Sequence, residues 1–83
     1  MVMSIRDSVY DLVERITLRR KTDIRDTDRL GEDLRMDPED FSMSLVPRLE
    51  KALHLKPPIQ EWERVRTVGD VIQLLERASK LSG

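Results

Sequence analysis

The sequence predicts an all-α fold: a small bundle of three main helices and one short helix, with a long loop between the first two. Three observations carry this reading. Apolar residues recur every three or four positions in three separate stretches. Each stretch opens on residues suited to a helix start. The length of 83 residues, with 39% hydrophobic and 37% charged, fits one core, in a single domain over residues 1–83.

The first helix is expected over Ile5 to Thr17, because Ile5, Val9, Leu12, Val13 and Ile16 fall on one stripe. Ser4 precedes it as a cap, and Asp7 adds negative charge at the positive end of the helix dipole. Leu18 to Asp33 mixes charges with scattered apolar residues and reads as an ordered loop. A structureless loop that long is uncommon in a compact domain, so Ile24 and Leu30 are expected to tack it onto the helices. Asp37-Pro38-Glu39-Asp40 opens the second helix: a capping carboxylate, a proline whose missing N–H does no harm there, and two acids in the first turn. Phe41, Leu45, Leu49 and Leu53 carry it to about Leu53, with Pro47 forcing a kink or a bulge. Pro57 and Pro58 follow its end, and Ile59 to Glu63 forms one short turn bearing Trp62. Thr67-Val68-Gly69-Asp70 reads as a capping box with Asp in place of Glu, opening a last helix over about Val68 to Leu81. The core expected from these stripes is Val9, Leu12, Val13, Ile16, Leu30, Phe41, Leu45, Leu49, Leu53, Val68, Ile72 and Leu75.

Composition narrows the function. Fifteen Lys and Arg against 16 Asp and Glu leave a net charge of −1, which argues against a nucleic-acid partner. Zero cysteines exclude disulfides, thiolate metal sites and thiol catalysis. No apolar run approaches the ~20 residues of a membrane span. Met1 to Arg6 lacks a basic segment before an apolar one, so the expected location is cytoplasmic, with no membrane partner. A chain of this size buries only ~60% of its unfolded surface, so a deep catalytic cleft is not expected and the chain reads as a non-enzyme.

The order of elements and the residues at their joints resemble the acyl carrier protein family over nearly the whole chain. In that family a long loop leads into Asp-Leu-Gly-Leu-Asp-Ser-Leu-Asp, whose Ser opens the second helix and carries a 4′-phosphopantetheine arm. The matching stretch is Asp33-Leu34-Arg35-Met36-Asp37-Pro38-Glu39-Asp40, in which five positions agree in character and the Ser does not. Thr27 and Leu30 stand where the family has a Thr and an apolar residue, and Thr67-Val68-Gly69-Asp70-Val71 resembles the start of its last helix. Pro38 thus falls on the attachment position, and its ring offers no hydroxyl for a phosphodiester. From Pro38 onward, Leu49 and Leu53 lie one position beyond the family pattern. The second helix has gained a residue, absorbed near Pro47 as a kink or a π-type bulge. The chain is similar to small bacterial proteins that share the carrier-like fold, lack the Ser and keep an acidic stretch at the start of the second helix.

The resemblance implies a protein-docking surface there, formed by Asp37, Glu39, Asp40, Met43, Val46 and Glu50, for a partner with a basic rim. Met36 and Ser42 lie close by, and Met36 and Val46 fit a core role equally well, since the kink leaves the facing of Val46 open. Two functions follow. The first is a non-enzymatic interaction module without the arm and without cofactor. The second is a genuine acyl or peptidyl carrier using Ser42 or Ser44, in fatty-acid, polyketide or related biosynthesis; both serines otherwise read as solvated helix residues.

The other conspicuous side chains take plainer readings. Arg19-Arg20-Lys21 sits among Asp23, Asp26 and Asp28 as a solvated loop. His54 reads as a helix-end residue near the negative dipole terminus, with no catalytic companion. The dense carboxylates from Asp26 to Asp40 are assigned to capping and to a partner surface rather than to a metal, because Gly31 does not fit a calcium loop. Trp62 reads as a core plug.

Overall fold

A computed structural model of the chain describes residues 4–82; the part of the N-terminal reading that falls on Met1 to Met3 lies outside them. Helix α1 spans Ile5–Thr17. The Ser4 hydroxyl accepts the Asp7 N–H at 3.1 Å, and the helix stops where Leu18 turns into the left-handed region and its N–H closes onto the Glu14 carbonyl at 2.8 Å. Its stripe buries Val9 and Val13, while Ile5, Leu12 and Ile16 pack half-buried against the core.

The connection that follows is held by local and long-range bonds. A 3₁₀ turn covers Lys21–Asp23, with the Lys21 ammonium paired to Asp11 and its N–H donated to Glu14 at 3.0 Å. Arg19 and Arg20 are exposed, as expected of a solvated loop. Asp28 and Asp33 accept the backbone N–H groups of Arg25 and Arg29, at 2.9 and 2.8 Å. The loop is then clipped to the start of the last helix: Leu30 N–H bonds the Arg66 carbonyl, Val68 N–H the Asp28 carbonyl and Gly69 N–H the Asp26 carbonyl, at 2.9, 3.1 and 2.8 Å. A Cβ on Gly69 would stand 3.2 Å from the Asp26 carbonyl oxygen, so the close approach calls for glycine. Ile24 and Leu30 are buried as expected, and Leu34 and Met36 join them.

Helix α2 has three parts: α-helical Pro38–Asp40, a π turn at Phe41–Leu45, and α-helical Val46–Leu53. The π turn absorbs the extra residue, since the Val46 N–H reaches back five positions to the Phe41 carbonyl. It ends just before Pro47, which has no N–H to hold the turn in α register. The helix closes at His54, in the left-handed region with its N–H on the Glu50 carbonyl. Leu45 and Leu49 are fully buried on its inner side, and truncation of such a leucine costs ~2–5 kcal/mol.

Short helix α3, Ile59–Glu63, buries Trp62, and helix α4, Val68–Ser82, runs through the middle of the core with Val68, Val71, Ile72, Leu74 and Leu75. The capping box at its start is reciprocal: Asp70 accepts the Thr67 N–H and the Thr67 hydroxyl accepts the Asp70 N–H, both at 3.1 Å. Burial works against the Asp70 charge, but the N–H groups of Arg66 and Thr67 outweigh it and hold this carboxyl below its ordinary range.

Four expectations are corrected. Leu12, Ile16, Phe41 and Leu53 pack at the margin of the core instead of inside it. Their places are taken by residues not expected there, among them Leu34, Val71 and Leu74, because α4 is covered on more than one stripe. Asp37 sits at the cap position of α2, yet its carboxylate makes no capping bond; its carbonyl accepts the Phe41 N–H at 3.0 Å instead. Ser44 is half-buried by the π turn, where a solvated residue was expected.

Candidate functional site

The start of α2 is the most polar part of the helix and the most open. Pro38 is its first residue, and Asp37, Pro38, Glu39 and Asp40 are all exposed. Within the π turn the side chains divide. Leu45 turns into the core, Phe41 is half-buried with its ring edge on Trp62 (centroids 6.0 Å apart, planes at 73°), and Ser42 and Met43 face solvent. Met43 is 74% exposed, a large apolar side chain near Glu39 and Asp40, which form no salt bridge among the described residues.

The residues expected on the docking surface are therefore split between two faces. Asp37, Glu39, Asp40 and Met43 stand in solvent. Val46 is half-buried, and Glu50 is half-buried with one carboxylate oxygen accepting the Trp62 indole N–H at 3.2 Å. Met36, for which the sequence allowed either role, is in the core.

Beside Pro38 opens a groove of about 740 Å³ between α2, α3 and the loop that precedes α2. Its lining includes buried Leu30, Met36 and Trp62 and exposed Pro38, Ser42 and Ile59. Val46 lines the same groove, which settles its facing. Arg29 and Arg66 also line it. Arg29 is engaged with Glu32 at 2.6 Å and Asp33 at 3.3 Å, and its backbone N–H first, then its guanidinium, lower the Asp33 carboxyl from its usual range. Ile59, 71% exposed, was not singled out from the sequence. The available signal was its place directly after Pro57-Pro58 and three before Trp62, one helical turn from the plug.

Among the described residues no group of three or more His, Cys, Asp or Glu is arranged to hold a metal ion. His54 is exposed at the helix end, with no nucleophile or carboxylate hydrogen-bonded to it among the described residues. No described helix is long and apolar enough to cross a membrane.

No model of a known protein family matches the chain. Comparison with curated proteins places it beside bacterial carriers. It is 29% identical over 79 residues to an acyl carrier protein of Brachyspira hyodysenteriae, covering 94% of this chain and 100% of that one. It is 30% identical over 74 residues to the acyl carrier protein of Wolinella succinogenes, covering 89% and 96%. The chain belongs to the acyl carrier protein family. Acyl carrier proteins are carriers and not enzymes.

A phosphopantetheine arm requires a serine hydroxyl as its point of attachment. The first residue of α2 is Pro38, whose pyrrolidine ring carries only carbon and its own nitrogen. The residue at this position does not fit the group. The nearest hydroxyls along α2 are those of Ser42, exposed and lining the groove, and Ser44, half-buried in the π turn.

Proposed function

We propose that this acyl-carrier-type protein works as a docking module without a prosthetic arm, engaging a protein partner through the start of α2. The observation that carries the reading is Pro38 at the first position of that helix, set among exposed Asp37, Glu39 and Asp40 with Met43 standing free. Carboxylates in the first turn are favoured by the helix dipole, and around an exposed thioether they suit a partner with a basic rim about an apolar pocket. The module needs no cofactor and no metal, and its place is the cytoplasm.

A second reading, a genuine acyl or peptidyl carrier loaded on an atypical serine, draws support from Ser42, exposed on the π turn and lining the groove. One experiment separates the two. The full chain is incubated with a promiscuous phosphopantetheinyl transferase and coenzyme A, and its intact mass is measured. An unchanged mass is expected. A single arm-sized adduct, mapped to Ser42 or Ser44, overturns the arm-less reading and establishes the carrier.

A further inference from the structure

The solvent side of α2 carries acids at one end and bases at the other. Glu39 and Asp40 lie in its first turn, Arg48 and Lys51 toward its end, and all four are exposed. None of them forms a salt bridge among the described residues. The dipole accounts for acids at a helix start and bases at its end. It does not account for their sharing one face with an exposed apolar centre. The π turn brings this about. With one residue more taken up in that turn, Glu39, Met43, Pro47 and Lys51, spaced by four, form a single exposed row, and Asp40 and Arg48 lie beside it.

Such a row is complementary to itself when reversed. A two-fold axis between Met43 and Pro47 sets Glu39 against Lys51 of a second copy, Asp40 beside Arg48 of that copy, and Met43 against its Pro47. Each contact is then made twice, as an isologous interface requires. A parallel arrangement sets acid on acid and base on base, and is disfavoured. We propose that α2 is the interface of an antiparallel homodimer, its occupant being a second copy of this chain. The thirteen residues from Glu39 to Lys51 span ~18 Å of helix, a contact of the small, transient class. The dimer is accordingly weak and salt-sensitive. It also covers the face assigned above to other proteins, so partner binding and self-association exclude one another.

The test is sedimentation equilibrium of the purified full chain from ~10 μM to ~1 mM, at low salt and at ~0.5 M salt. The weight-average mass is expected to climb from 9.7 kDa toward twice that value at low salt, and to fall back at high salt. Glu39→Lys and Lys51→Glu should each push association to at least ~tenfold higher concentration. The double variant, with the charges exchanged, should return to within ~threefold of the parent, the signature of a direct pair. Monomer mass throughout overturns the proposal, as does association unchanged in the single variants or a double variant no better than either. The double variant still carries Glu39→Lys, so docking to a basic-rimmed partner stays impaired while dimerisation recovers. Failure of one reading is thus distinguishable from failure of the other.

Discussion

The Trp62 indole N–H is bonded to Glu50 at 3.2 Å, latching short α3 onto α2 across twelve residues of chain. Five residues make too short a helix to stand alone, so α3 owes its place to the buried Trp62, to the Phe41 ring edge on it and to this bond. Trp62→Ala should cost ~3–5 kcal/mol. Glu50→Ala leaves the indole N–H without its acceptor and should cost ~1–2 kcal/mol, whereas Glu50→Gln keeps an acceptor and should cost less. Urea unfolding of the three variants checks the order. Equal stability for Glu50→Ala and the parent would show that Glu50 is free to serve the surface instead.

How much of this was legible follows the range of the interaction. The bounds of α1 could be read because Ser4 and the Val9, Leu12, Val13, Ile16 stripe act within a turn or two of the chain, and the Thr67–Asp70 box likewise spans three residues. The π turn was legible by arithmetic, one residue too many ahead of a proline that cannot hold α register. The bonds from Tyr10 to Asp26 and from Trp62 to Glu50 join residues sixteen and twelve apart, and no local pattern announces them. Glu50 therefore read as a docking acid when half of its role is internal. Met36 was ambiguous for a related reason: its burial depends on the loop folding back through the Leu30–Arg66 and Met36–Leu30 backbone bonds, not on any helical period.

A second prediction concerns pH. Asp26 accepts from the Tyr10 hydroxyl and from both terminal nitrogens of Arg6. The Tyr10 bond first, then Arg6, hold its carboxyl below the ordinary range against the opposing effect of burial. Burial, then the bond to Asp26, push the Tyr10 phenol up to about 12. The stability contributed at Asp26 is whole above the unfolded carboxyl value and is lost as pH falls through the lower folded one. That contributed at Tyr10 is whole below its ordinary value of 10.0 and is lost as pH rises toward about 12. Tyr10→Phe should flatten the alkaline decline over that window relative to the parent, measured as urea midpoints against pH. Parallel curves would mean that the phenol does not hold Asp26 in solution.

Leu18 offers a gain in stability. It ends α1 at φ 61°, and its side chain is 89% exposed, so it holds a left-handed conformation without packing in return. That conformation costs a residue with a Cβ ~1–2 kcal/mol, and the greater unfolded freedom of glycine takes back ~0.5–1 kcal/mol. Leu18→Gly should therefore stabilise the protein by about 0.5–1 kcal/mol, or ~2–6 °C in Tm for a chain of this size. A lower Tm would show that Leu18 makes a contact in solution, and its place next to exposed Arg19 and Arg20 would make that end of α1 a second surface of interest.

The last prediction places the partner. Glu39 and Asp40 make no ion pair among the described residues, and Met43 follows Glu39 by four positions on the same solvent side. A partner held by charges around an apolar anchor should lose affinity with salt, since exposed charges are screened over ~8 Å at physiological ionic strength. Glu39→Lys should weaken binding by reversing a rim charge, and Met43→Ala by removing the anchor. Neither should lower the melting temperature appreciably, because neither side chain is packed. Arg77→Glu is the control: it lies on α4, exposed, with only a 3.9 Å pair to Glu61 to lose, and such a surface pair contributes little. The measurement is a pull-down of the three variants against whatever protein co-purifies with the parent, beside circular dichroism melts. Retention by Glu39→Lys and Met43→Ala together with release by Arg77→Glu would move the docking face from α2 to α4, and with it the reason for the acids around Pro38.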